Sequence, residues 1–283
     1  MDLSCIIPAK RRIIAIGDLH GDWDATIKSL KKAGVINNSL NWIGGDTVVV
    51  QVGDQVDKGG RGEVTNDENS ELRIINYLDK LNIEAKKNMG AVYSLLGNHE
   101  IMNVFGDFSY VSPKGIDGMG GSIKRFNRFR PGGDIAKKLA KRNVIMKIGS
   151  WVFVHGGILP KYAKKYSIRD INTIMKMFLM GHVSIGETQV FRQLFINNDS
   201  LLWNRTFSGD RVNSNALYTS LQLLDAKYMV VGHTPQEEGI NSKCKNRVWR
   251  IDSMMSEAFG VRRSDNRIQV LEILNDGQTI TII

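Results

Sequence analysis

Five times along this chain an apolar run ends in a short polar turn: residues 12–16 before Gly17, 47–52 before Gly53, 91–96 before Gly97, 151–154 before His155 and 228–231 before Gly232. Short, largely β-branched runs bounded in this way indicate buried strands feeding loops. Residues 247–251 and 268–274 are strand-like as well. Helical spacing lies between the runs, first as Trp23, Ile27 and Leu30, with Asp22 or Asp24 as cap and Gly34 as stop. Residues 72–85 predict a longer helix, Asp134 is placed to cap a third that carries Ile135 and Leu139, and Ile171, Ile174, Met175 and Phe178 mark a fourth. Alternating strand and helix predicts an α/β sheet architecture. The segment 103–133, rich in Gly and aromatic residues with weak periodicity, is expected to be an ordered loop covering the strand ends.

Polar constellations run from Asp18 to His233, so a cut between them would separate complementary groups; one domain over 1–283 is expected. The composition, 42% hydrophobic and 24% charged, is that of a globular chain with ample core. The apolar run at 13–16 is too short for a signal peptide. Lys176 and His182 interrupt even the Met-rich segment near Phe178, so no membrane span is expected. Cys5 and Cys244 stand far apart without metal-like partners, which argues against a disulfide framework and for a reducing, cytoplasmic setting. The net charge of +9 comes from scattered pairs such as Lys31-Lys32 and Lys137-Lys138, not interleaved with aromatic residues. That pattern favours attraction of phosphate-bearing substrates over nucleic-acid binding.

The turns carry the chemistry. Gly17-Asp18-Leu19-His20-Gly21-Asp22 sets a carboxylate and an imidazole where both can face one cation; alone, it could equally be a helix cap. Gly53-Asp54-Gln55-Val56-Asp57-Lys58-Gly59-Gly60 adds two carboxylates and a cation beside glycines that let backbone approach a ligand. Gly97-Asn98-His99-Glu100 supplies an amide oxygen and an imidazole, while His155-Gly156-Gly157 and Gly232-His233-Thr234 add one imidazole each. Four of the five histidines therefore follow strands, at the carboxyl ends where ligands collect in α/β sheets. Mixed carboxylate, imidazole and amide ligands suit manganese, iron or zinc rather than calcium. The ligand count implies two ions; a pair about 3.5–4 Å apart can hold a bridging hydroxide for in-line displacement at phosphorus. Hydrolysis of a phosphoester is the expected reaction.

Taken in order, these five motifs resemble the calcineurin-like metallophosphoesterases, specifically the phosphoprotein phosphatases, and the chain is most similar to the Shewanella-like protein phosphatases over about residues 12 to 275. The resemblance implies a central β-sandwich of two mixed sheets flanked by helices, with a dimetal site at the carboxyl ends of strands. It makes Asp18 and His20 ligands of one metal, Asn98, His155 and His233 ligands of the other, and Asp54 the bridge. His99 becomes the general acid, oriented by Asp57, and Lys58, Arg205 and Asn98 grip the phosphate. The implied substrate is a phosphoprotein or phosphopeptide bearing phosphoserine, phosphothreonine or phosphotyrosine, with manganese as the metal most suited to assay; the resemblance leaves a regulatory subunit open.

Lys58 departs from the family pattern, which has Arg there; an ammonium keeps the charge but not the planar fork. Arg205, in Leu202-Trp203-Asn204-Arg205, either carries more of the phosphate grip or covers Trp203. Asp252 is either second support for the metals or a turn carboxylate, and His182 with Met175, Met177 and Met180 is expected to pack rather than ligate. Two other functions compete: symmetric dinucleoside tetraphosphate hydrolysis, with Phe105, Phe108 or Tyr110 stacking on a base, and phosphate recognition without turnover.

Overall fold

A computed structural model describes residues 4–61, 67–260 and 265–283 of the chain. Eleven strands occur among them: β1 Ile6–Ile7, β2 Arg12–Ile16, β3 Val48–Gln51, β4 Ala91–Ser94, β5 Ile145–Ile148, β6 Trp151–Val154, β7 Tyr228–Val231, β8 Asn241–Lys243, β9 Val248–Arg250, β10 Leu271–Leu274 and β11 Thr279–Ile282. They form two mixed sheets, one ordered β1-β5-β6-β7-β9-β8 and the other β11-β10-β2-β3-β4. The parallel pairings β2 with β3, β3 with β4, β6 with β7 and β7 with β9 send the motif-bearing strands toward one edge of each sheet.

Side-chain alternation explains the stacking. Along β2, Ile13 and Ala15 enter a core shared with Trp151, Phe153, Val230 and Ile251 of the other sheet, while Ile14 and Ile16 enter a second core. β6 splits likewise, with Trp151 and Phe153 facing the opposing sheet and Val152 and Val154 facing away. A period of two lets one short strand serve two apolar layers. The central strands β2, β3 and β6 are thus buried on both faces, which is why they are nearly continuous apolar runs in sequence. Trp151 and Phe153 are fully buried; removing a side chain of that size from water stabilises the fold by about 2–3 kcal/mol each.

Helices cover the outer faces: α1 Trp23–Lys32, α2 Glu71–Lys86, α3 Asn98–Val104, α4 Pro113–Gly118, α5 Ser122–Phe129, α6 Asp134–Leu139, α7 Pro160–Lys165, α8 Ile168–Leu179, α9 Gln189–Phe195 and α10 Ser214–Leu223. α1 and α2 pack Ile27, Leu30, Ile74 and Leu81 on the sheet that holds β2, and α6 through α10 pack on the other. The α1 cap is Asp22, whose side chain accepts from the Ala25 N–H, and Gly34 at φ +65° ends it.

Two expectations change. About half of residues 103–133 is helical, forming the end of α3 with α4 and α5. Their pattern is weak because these helices are short and are fixed by buried polar contacts rather than by a long apolar stripe. Asp134 does not cap α6; Gly133 holds the cap position and the Asp134 carboxylate pairs with Arg128 at 2.7 Å. Strands β1, β5, β8 and β11 escaped the sequence pattern. Among the described residues no helix is long and apolar enough to cross a membrane.

Candidate active site

The loops leaving β2, β3, β4, β6 and β7 meet at one cleft, and their backbones carry unusual conformations. His20, Asp54, Asp57 and His233 all have positive φ, at 41°, 55°, 72° and 66°. Left-handed backbone at non-glycine residues is costly and persists only where surroundings impose it. Gly97 must be glycine for another reason: a Cβ there would lie 2.1 Å from Asp54 Oδ1. Glu100 ties two loops together, its carboxylate accepting from the N–H groups of Gly97, Asp54 and Gln55 at 2.7, 3.0 and 2.7 Å.

Among the described residues, two sets of side chains bring ligand atoms within 4.8 Å of one another: His20, Asp54 and His99, and Asp54, His155 and His233. Asp54 is common to both. Its Oδ2 lies 3.2 Å from His155 Nε2, 3.9 Å from His99 Nε2 and 4.0 Å from His20 Nε2. Asn98 Oδ1 sits 2.9 Å from His155 Nε2, so the amide oxygen reaches the second set. Asp18 accepts from the His233 N–H through Oδ2 at 3.0 Å, while its Oδ1 is buried without a hydrogen-bond partner, as is Asp252 Oδ2.

The electrostatics show what the cleft lacks without cations. Burial, with repulsion from Asp252, pushes the Asp18 carboxyl well above the usual carboxylate range, and burial with the nearby Asp54 charge raises Asp252 to about 6. Asp54 is held well below its ordinary value because His155 and His99 outweigh its burial. His155 is lifted to about 9 by Asp54 and Asp18 against its own desolvation. Burial lowers His20 and His233 well below the ordinary imidazole value, helped at His20 by Arg61 and at His233 by His155. A neutral imidazole is the ligand form. Orphaned carboxylate oxygens, neutral imidazoles and a shared Asp54 fit two divalent ions of the borderline class.

His99 stands apart from the other imidazoles. Its Nδ1 lies 2.8 Å from Asp57 Oδ2, so Nδ1 donates to that carboxylate and Nε2 faces the cleft. Burial opposes protonation of this ring, but Asp54 and Asp57 prevail and raise its pKa.

The structure does not bring Lys58 into the cleft. Its side chain is 3% exposed, with Nζ 3.6 Å from Asp22 and 3.7 Å from Glu257, an acidic pair that draws the ammonium behind the loop. Arg61 reaches in instead. Its Nη2 lies 2.9 Å from His99 Nε2, its Nη1 donates to the carbonyls of Asp57 and Gly59, and its guanidinium rests 4.9 Å from the Tyr110 ring and 5.2 Å from that of Phe259. The turn at Gly60, φ +73°, lets the chain double back this far, and the Gly-Gly-Arg run was its only sequence signal. Arg205 also lines the cleft, donating to the His233 carbonyl and to Thr234 Oγ1 at 3.0 Å each. Trp203, Pro235, Tyr110 and Phe259 form its apolar walls around about 110 Å³. A larger cavity of about 330 Å³ lies elsewhere, lined by Cys5, α8 residues and His182, and holds none of the motif residues.

Residues 11–237 match the calcineurin-like phosphoesterase family. Shewanella-like protein phosphatase 2 of Arabidopsis thaliana is 33% identical over 94% of this chain and 75% of its own. Shewanella-like protein phosphatase 1 of Plasmodium berghei (strain Anka) is 34% identical over 87% of this chain and 67% of its own. The crystal structure of a cold-active protein-tyrosine phosphatase from a psychrophilic Shewanella species superposes on all of this chain and 83% of that one with a TM-score of 0.80; at 24% identity the likeness concerns the fold.

Proposed function

We infer that the cleft serves protein dephosphorylation, because the chain belongs to the calcineurin-like phosphoesterases and, within them, to the Shewanella-like protein phosphatases. It is a phosphoric monoester hydrolase of a family that uses a dinuclear metal site. The observation that carries the finer reading is that Asp54 is common to both ligand sets, while His99, a member of the first, has its Nδ1 turned onto Asp57 at 2.8 Å.

In this reading Asp18, His20 and Asp54 would hold one ion, and Asp54, Asn98, His155 and His233 the other. When bound, the ions supply an activated water and neutralise charge on the phosphoryl group. Arg61 and Arg205, which both line the cleft, grip the phosphoryl oxygens together with Asn98. Protonated His99 gives its Nε2 proton to the departing oxygen as the ester P–O bond breaks, and Asp57, accepting from Nδ1, orients the ring and stabilises its imidazolium form. The Tyr110, Trp203 and Phe259 rings flank the cleft, so phosphotyrosine is accepted alongside phosphoserine and phosphothreonine. Manganese is the metal proposed for assay.

Chelated protein is reloaded with manganese and offered a panel of phosphotyrosine, phosphoserine and phosphothreonine peptides beside a symmetric dinucleoside tetraphosphate. Phosphate release from the peptides is expected. Cleavage of the dinucleotide alone would replace the reading with nucleotide hydrolysis, and turnover of neither would leave a phosphate-recognition module.

A further inference from the structure

Behind His99 lies a buried cation that the reaction does not touch. Arg125, on α5, has 0% side-chain exposure, and all five of its N–H groups have oxygen partners. Nε donates to Asn103 Oδ1 at 2.7 Å; Nη1 donates to Glu71 Oε2 at 2.6 Å and to the Gly115 carbonyl at 3.2 Å; Nη2 donates to Glu71 Oε1 at 3.2 Å and to Asp57 Oδ1 at 3.3 Å. Phe108 and Phe129 rings cover the guanidinium at 5.6 and 5.0 Å.

These contacts converge on Asp57 from two directions. Its carboxylate receives Arg125 directly and Asn103 Nδ2 at 2.8 Å, and Arg125 also fixes the Asn103 amide that makes that bond. Its backbone N–H donates to Glu71 Oε1 at 2.8 Å, the same carboxylate that Arg125 clasps with both terminal nitrogens. Asp57 needs such a hold, since its φ of 72° is unfavourable for a residue with a Cβ. Asn103 donates to the His99 carbonyl too, at 2.9 Å, so one brace grips both members of the dyad.

We propose that Arg125 is a positioning residue for proton transfer: through Asp57, Glu71 and Asn103 it fixes the His99 ring so that Nε2 faces the leaving-group oxygen. The inference rests on the phosphatase reading above for its chemical consequence, and on the brace alone for its structural one. A carboxylate whose far oxygen is held by two donors keeps its near oxygen aimed at the imidazole and so holds that ring in one rotamer. An Asp57 freed on its far side would still accept from His99 without fixing where Nε2 points.

The test uses metal-loaded protein and two substrates, p-nitrophenyl phosphate, whose leaving group needs little acid assistance, and phenyl phosphate, whose leaving group needs more. Arg125→Met should lower kcat on phenyl phosphate by about 10- to 100-fold, with KM near wild type and a several-fold smaller loss on p-nitrophenyl phosphate. Arg125→Lys should recover part of the difference, because it restores charge without the fork. Arg125→Met/Glu71→Gln removes opposite charges together; it keeps the question open to measurement if the single variant does not fold, and the same selective loss is expected. A second readout is independent of turnover: in zinc-loaded protein, where no paramagnetic ion broadens it, the Nδ1–H resonance of His99, assigned by its disappearance in His99→Asn, should be sharp and downfield in wild type and exchange-broadened in the Arg125 variants. Equal losses on both substrates, or an unchanged Nδ1–H resonance, would overturn the proposal. If metal-loaded wild type turned over no phosphomonoester, the phosphatase reading would fall, while the resonance would still judge the brace.

Discussion

The loops at the strand ends and the helices behind them manage charge in opposite ways. In the loops, Asp18 and Asp252 each bury a carboxylate oxygen without a partner and are pushed up, while Asp54 between them is held down by His155 and His99. In the helices, Arg125 meets Asp57, Glu71 and Asn103 with no guanidinium N–H left over. The first region leaves its charges unbalanced within the chain; the second balances its own. A site of this kind needs both, because a strongly charged cleft positions ions and substrate only if its walls do not move with them.

The sharpest way to break the contrast is at the residue common to both ligand sets. Asp54→Asn should abolish binding of both ions as measured by metal analysis, and lower phosphate release by more than about 10,000-fold. His99→Asn should keep both ions yet lower kcat by about 100- to 10,000-fold, the usual worth of a placed acid; equal activity in both proteins would remove His99 from that role. The two cations should separate next. Arg61→Ala is expected to raise KM for p-nitrophenyl phosphate by about tenfold or more. Lys58→Met should leave KM nearly unchanged and lower unfolding stability by on the order of 1–3 kcal/mol, because Lys58 faces Asp22 and Glu257 rather than the cleft. A KM effect at Lys58 equal to that at Arg61 would contradict this division.

The smallest effect concerns pH. In chelated protein His155 has a folded pKa raised to about 9 by Asp54 and Asp18, above its unfolded value of 6.5. Its contribution is fully present below pH 6.5 and lost as pH rises through about 9. The raised His99 acts with the same sign, whereas the lowered His20 and His233 act with the opposite sign while the unfolded imidazoles still titrate, up to about pH 7.5, and are neutral in both states above it. Thermal melts of chelated protein should therefore show Tm falling between about pH 7.5 and 9, by about 2 kcal/mol of stability from His155, and the metal-loaded protein should show a much flatter profile. A chelated protein whose Tm rose across this range would refute the assignment.

The same two regions differ in how much of them the sequence reveals. The loop residues were legible because each lies within a few positions of a strand end, where a β-branched run stops at glycine and polar chemistry begins. Asp18 and His20, Asn98 and His99, and His233 with its flanking glycine are local signals. The brace was illegible: Arg125 sits 68 positions from Asp57 and 54 from Glu71, inside a segment whose helices are too short to show a period. Lys58 and Arg61 fell between these cases. Both are cations near one motif, and their order in sequence suggests the nearer one for the phosphate. Only the acidic pair waiting for Lys58, and the doubling back at Gly60, send Arg61 forward in its place. Strands β2 and β6 were found to the residue, whereas β8 and β11, whose residues are mostly half-buried or exposed, offered no apolar run to find.

The claim at the centre of this account is that one carboxylate, Asp54, serves two divalent ions in a working phosphatase. Titration of chelated protein with manganese, followed by isothermal calorimetry and by phosphate release from a phosphopeptide in the same samples, tests it most directly. Two ions per chain are expected, with activity that reaches its plateau only with the second, and neither in Asp54→Asn. Full activity with one ion per chain, or in the chelated protein, would contradict it.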